Sequence, residues 1–211
     1  MSALATVYWI PLGAGGRSVA FNGRVFEALA AGLARRPRCA LYHAALVAEL
    51  DDERYTIELA PSPNAKEALR GVVATGAVGS RWLRDLRLFR YEVRCWQGGQ
   101  IPDLDYAIKP ARSLTRDPAV VQRLLSLARL VPTPVWGRDE LGLGEMWNSN
   151  SVIAWLIASA ALPIADLHPP VGGRAPGWDA GLEAARRTAP TRQPTARSPV
   201  ALRRDRDGAL R

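Results

Sequence analysis

The chain has 211 residues, a net charge of +8, and 48% hydrophobic against 23% charged residues, which fits one globular domain with a tail and excludes a disordered or fibrous chain. Two cysteines (Cys39, Cys95) and two histidines (His43, His168) exclude a disulfide framework, a cysteine-based zinc site and a three-histidine metal site, so no metal or cofactor is expected. Residues 174–211 hold nine arginines and four acids, which is +5 of the +8, so the body is nearly balanced and no specific nucleic-acid partner is expected.

In chain order, Val7 to Leu12 is a short apolar run closed by glycines, a strand entering a loop. Asn22 stands where it can cap a helix whose apolar positions are Val25, Phe26, Leu29, Ala30 and Leu33. Residues 39–48 and Tyr55 to Leu59 read as the two arms of a hairpin turned at Asp51-Asp52. From Leu86 to Trp96 the chain alternates, with Phe89, Tyr91, Val93 and Cys95 on one face and Arg90, Glu92 and Arg94 on the other. Asp117-Pro118 opens a helix with proline at its first position and a stripe of Val120, Val121, Leu124, Leu125 and Leu127.

Asn148-Ser149-Asn150-Ser151 then introduces an apolar helix, Val152 to Leu162. Such residues are the preferred helix N-caps. The longest apolar run, residues 151–165, falls short of the roughly 20 that cross a bilayer, and it contains Pro163, so no transmembrane segment is expected. The N-terminus has no basic region ahead of an apolar one, and a cytoplasmic protein is expected. The resulting pattern is α+β, an antiparallel sheet packed against helices. It forms a single domain over 1–187, followed by a disordered Arg- and Pro-rich tail over 188–211.

Three sequences could carry chemistry. Gly13-Ala14-Gly15-Gly16-Arg17-Ser18 lies between a strand and a helix but lacks the third glycine of a dinucleotide fingerprint, and it reads as a plain loop. His43 lies mid-strand beside the small Ala44 and Ala45, which leave its ring approachable. Ser149 and Ser151 stand at a helix N-terminus, where free N–H groups and the helix dipole favour developing negative charge. Trp136 and Trp147 bracket the loop before Ser149, where they either floor a groove or take the commoner role of packing in the core.

A histidine on an early strand followed by an Asn-x-Asn cap on a late apolar helix resembles the circularly permuted papain-like superfamily. That superfamily includes permuted NlpC-type peptidases, lecithin:retinol acyltransferase-like proteins and PPPDE peptidases. The resemblance implies His43 as base and Ser149 as nucleophile, with helix amides as oxyanion hole and Trp147, Asn148, Asn150 and Ser151 contacting a peptide or acyl ligand. Ser149 stands where active relatives carry cysteine. A serine alkoxide is too basic to persist as an ion pair, so Ser149 would act only if His43 took its proton in step with attack. If Asp51-Asp52 is an even-length turn, paired positions sum to 103 and Glu58 lies on the face of His43, diagonally adjacent, as its orienting acid; an odd loop would put Ile57 and Leu59 there and leave Glu58 a solvated face residue. The expected function is therefore an atypical amide or ester hydrolase or acyltransferase, or a catalytically retired peptide- or acyl-binding relative. The alternative is an interaction protein whose basic tail meets an acidic partner.

Overall fold

A computed structural model describes residues 2–14, 27, 28, 30–62, 71–101 and 103–189. Seven strands form the sheet: β1 (Ala3–Pro11), β2 (Ala40–Leu50), β3 (Glu53–Pro61), β4 (Val72–Ala77), β5 (Arg90–Gln97), β6 (Arg112–Thr115) and β7 (Gly173–Arg174). The order across the sheet is β4-β5-β3-β2-β1-β6. Every pair in it is antiparallel, and β7 alone adds in parallel to the start of β2. Residues 27, 28 and 30–33 are helical, and after them come the helices α1 (Pro118–Leu127), α2 (Ser149–Ser159) and α3 (Trp178–Thr188). The architecture is thus α+β with an antiparallel sheet and several helices.

The β2–β3 hairpin follows from its turn. Asp51 and Asp52 both take positive φ (50° and 67°), the conformation of a two-residue turn whose twist matches the flanking strands. Leu50 therefore faces Glu53 and Leu46 faces Ile57, so paired positions sum to 103. Alternation then sorts the strands. Val7, Trp9, Ala44, Leu46, Ala48, Ile57, Leu59, Tyr91 and Val93 join one buried cluster with the helices. Ile10, Ala45 and Val47 are just as buried but lie outside that cluster, on the other face.

Several boundaries differ from the sequence reading. The strand expected from Leu86 begins at Arg90, because residues 81–83 and 87–89 are wound into two 3-10 turns. Sheet pairing resumes only where the Val78 N–H reaches the Phe89 carbonyl. The helix expected over 152–162 spans Ser149–Ser159. It stops because Ala161 turns left-handed (φ 57°) and the Leu162 N–H bonds back to Ile157. Helix α3 runs through Thr188, one residue beyond the expected domain end. The expected cap Asn22 and the glycine loop beyond Ala14 fall outside the described residues, as does the sequence from 190 onward. Among the described residues, no helix is long and apolar enough to cross a membrane.

Candidate functional site: the junction of β2 with the start of α2

Helix α2 begins where its sequence places the cap. The Asn148 side chain accepts from the Asn150 N–H (2.8 Å), and the Ser151 hydroxyl accepts from the Asn148 N–H (3.0 Å), a reciprocal capping box. These side chains also reach outward. Asn148 Nδ2 donates to the Pro176 carbonyl (2.9 Å) and Ser151 Oγ donates to the Gly177 carbonyl (2.7 Å). The start of α2 is thereby tied to the turn that starts α3.

Asn150 does the most. Its Oδ1 accepts from the Ala44 N–H (2.7 Å), and its Nδ2 donates to the Tyr42 carbonyl (3.1 Å) and the Pro176 carbonyl (2.8 Å). A carbonyl at one residue and an N–H two residues on point to the same side of an extended strand, and a primary amide can satisfy both. The ladder of β3 on β2 ends at Leu46, and β7 covers only Ala40 and Leu41. Asn150 fills the gap between them, acting as a side-chain substitute for a missing strand partner. Left bare, those buried peptide groups would each cost about 1–3 kcal/mol.

The close approach of α3 completes the junction. A Cβ on Gly181 would sit 2.2 Å from the Ser151 carbonyl oxygen, and one on Gly177 would lie 2.6 Å from the Asn148 amide. Gly177 also takes φ 86°, which favours glycine. Glu145 accepts from the Gly177 and Asp179 N–H groups (2.9 and 3.2 Å) at the start of α3. Burial there pushes its carboxyl above the usual range.

The expected site residues therefore separate into two groups. The strand of His43 and the start of α2 do meet, through the Asn150 amide and the peptide groups flanking His43. The imidazole takes no part in that contact. Alternation turns it away from Ala44 to the face of Ala45 and Val47, where its Nε2 lies 3.8 Å from Asp103 Oδ2. Burial holds the His43 ring below its ordinary pKa of 6.5, and the Asp103 carboxylate pulls it partly back. No hydrogen bond joins His43 and Ser149 among the described residues. Ser149 is half-buried, and its hydroxyl makes no side-chain hydrogen bond within the described protein.

Glu58 lies one residue beyond the last β2–β3 pair, Leu46 with Ile57, and opposite Arg94 of β5, whose Nη1 is 3.4 Å from it. Arg94 is buried and also pairs with Glu92 at 3.0 Å. The acid facing the imidazole is Asp103, which the sequence reading missed. It arrives on a loop hung from β1 by the bond of the Ile108 N–H to the Trp9 carbonyl, and no local pattern in the sequence announces such a tertiary docking. Trp147, Asn150 and Ser151 are 1%, 3% and 0% exposed, so they lie beneath the surface a ligand would touch. Asn148 is half-buried.

Beside Asp103, an open cleft of about 530 Å³ is lined by Tyr8, Leu104, Ala107, Ile108, Lys109 and Pro110. Tyr8 lies opposite Ala45 in the β1–β2 ladder, and Ile10 lies opposite His43, so Tyr8 of the cleft and the histidine share one sheet face. No cluster of three or more His, Cys, Asp and Glu side chains suited to a metal ion stands among the described residues.

No family model matches the chain, and no curated protein and no solved structure is significantly similar to it.

Proposed function

We propose that this chain is a permuted papain-like domain whose nucleophile position holds a serine without an activating base, and that it binds a peptide or acyl ligand without turning it over. The observation that carries this reading is the division of labour at the β2–α2 junction. Asn150 grips the strand on both sides of His43, while the imidazole faces Asp103 and no base bonds the Ser149 hydroxyl among the described residues. Serine is activated only by a base within hydrogen-bond reach, itself oriented by a third group. Helix amides alone stabilise charge but remove no proton.

The ligand site of this reading is the cleft beside Asp103. Its apolar walls of Leu104, Ala107, Ile108 and Pro110 suit a short acyl chain or apolar peptide side chain, and the Lys109 ammonium at the rim suits a terminal carboxylate.

Two measurements test the proposal. Wild-type protein and Ser149→Ala should give the same background rate on fluorogenic esters and peptides, and neither should be labelled by a fluorophosphonate probe. Labelling of Ser149 in wild type, lost in His43→Ala, would establish an enzyme and end the binding reading. Titration with N-octanoylglycine should give saturable binding that Lys109→Ala weakens and Leu104→Asp abolishes. Lack of any binding would remove the cleft from the proposal.

A further inference from the structure

Residues 80–90, Ser-Arg-Trp-Leu-Arg-Asp-Leu-Arg-Leu-Phe-Arg, carry four arginines against one aspartate, a net of +3 in eleven residues. Their large apolar side chains divide sharply. Leu83 and Phe89 turn partly inward, whereas Trp82, Leu88 and Leu86 are 90%, 84% and 55% exposed. A single exposed leucine needs no explanation, but a tryptophan and two leucines projecting from one loop do. Core packing cannot be that explanation, because the inward positions of the same loop are filled by other residues.

The loop is also held in shape. Its two 3-10 turns are closed by bonds from the Leu83, Arg84, Leu86 and Phe89 N–H groups. Its base is fixed by the Gly79 N–H on the Trp136 carbonyl and by Arg138 Nε on the Gly79 carbonyl (2.6 Å). Arg81 is committed to Glu140 (2.8 Å). Arg84 and Arg87 remain exposed, and neither has a salt-bridge partner among the described residues. Apolar tips flanked by unpaired cations on a braced loop thus lose little conformational freedom when they dock.

We propose that this loop is a docking element for an anionic lipid surface. Trp82, Leu86 and Leu88 would enter the headgroup–acyl boundary, and Arg84 and Arg87 would meet the acidic headgroups. Tryptophan is the side chain best suited to that boundary, and each arginine near an anionic leaflet adds attraction that salt screens. A protruding set of three apolar tips matches a deformable bilayer better than the flat apolar patch of about 800 Å² per partner that a stable protein complex buries.

The test is co-sedimentation of the full chain with vesicles of phosphatidylcholine alone or mixed with phosphatidylserine. Binding is expected to the mixed vesicles and to fall steeply between about 0.1 and 0.5 M salt. Trp82→Ser combined with Leu88→Ser should weaken it at least about tenfold, and Arg84→Gln with Arg87→Gln should weaken it about tenfold and reduce its salt dependence. All four positions are exposed, so both double variants should melt like wild type, which circular dichroism checks. The proposal is overturned if wild type leaves both vesicle types unbound, or binds phosphatidylcholine alone equally well. It is equally overturned if the Trp82→Ser, Leu88→Ser protein binds as wild type does, since the attraction would then reside elsewhere in the chain.

Discussion

The two sides of β2 at His43 are built on opposite principles. On one, the Tyr42 carbonyl and the Ala44 N–H are locked to Asn150, and the polar side chains of Asn148, Asn150 and Ser151 are all spent on internal bonds. On the other, His43 and Asp103 lie 3.8 Å apart with 22% and 25% of their side chains exposed, beside an open cleft. Buried polar networks earn their place when complete, because a missing partner leaves a desolvated group unpaired. Ionisable groups that stay half-exposed keep the freedom to titrate and to meet a ligand. The junction therefore reads as frame, and the opposite face as the side where chemistry or recognition is accessible.

The largest effect is expected where the frame is broken at its centre. Asn150→Ala leaves the Ala44 N–H and the Tyr42 and Pro176 carbonyls without their side-chain partner. The unfolding free energy should drop by about 3 kcal/mol, read from urea denaturation. Asn150→Asp sharpens the point, because a carboxylate still accepts from Ala44 but cannot donate to either carbonyl. It should be no better tolerated than alanine. A loss below about 1 kcal/mol in Asn150→Ala would show that β2 does not depend on this grip. Gly181→Ala attacks the same frame from α3, where the new Cβ would stand 2.2 Å from the Ser151 carbonyl. Helix propensity favours alanine, yet the clash should prevail and cost about 2 kcal/mol. A stabilised variant would mean the two helices can part without penalty.

These same residues mark how far local pattern reaches. Asp51-Asp52 turns the hairpin, and its two-residue length places Leu46 against Ile57 by arithmetic alone. Asp117 caps α1 as its position before Pro118 implies, accepting from the Ala119 N–H at 2.8 Å. The alternation of Tyr91 and Val93 reports a face of β5 that is indeed buried. In each case the signal and its cause lie within a few residues. Strand β4 and helix α3 were not legible, because glycine stands where packing is tightest. A Cβ on Gly76 would strike the Tyr91 ring at 2.3 Å, and Gly181 interrupts the apolar stripe of α3. Small residues chosen for close approach weaken the hydrophobic periodicity that would reveal the element. Leu86 and Leu88 mislead in the opposite direction, since apolar residues that face solvent extend an apparent strand. At the candidate site, an approach of the His43 strand to the start of α2 was implied by the resemblance alone, and the contact present is that of Asn150 with Tyr42 and Ala44. The direction of the imidazole follows from alternation with Ala44, Leu46 and Ala48, but the sequence reading assigned no core face to β2; the acid it meets, Asp103, comes from a distant loop.

Acidity probes the accessible side of the comparison with a smaller effect. Burial lowers the pKa of His43 in the folded protein below its ordinary 6.5, so between those two values the unfolded chain binds more protons than the folded one. Stability contributed by the neutral ring is complete above about pH 6.5 and declines as pH falls from there toward the folded pKa. His43→Gln should flatten this decline below about pH 6.5, measured as the urea midpoint against pH. Asp103→Asn removes the charge that raises the histidine pKa and should make the decline steeper. If both variants leave the profile unchanged, the half-exposed pair is not the group that titrates.

The smallest effect is expected at Ser149, and its smallness is the informative result. The hydroxyl occupies the first turn of α2, but the cap itself is made by Asn148 and Ser151. Replacing Ser149 by alanine removes no side-chain hydrogen bond of the described protein and substitutes a better helix former. The change should stay within about 0.5 kcal/mol of zero, whereas Ser151→Ala, two residues on, should cost about 1–2 kcal/mol by unpairing the Asn148 N–H and the Gly177 carbonyl. The pair of variants separates frame from surface within a single helical turn. If Ser149→Ala were the more damaging of the two, the hydroxyl would have a partner that the junction geometry does not provide, and the division between the two sides of β2 would have to be redrawn.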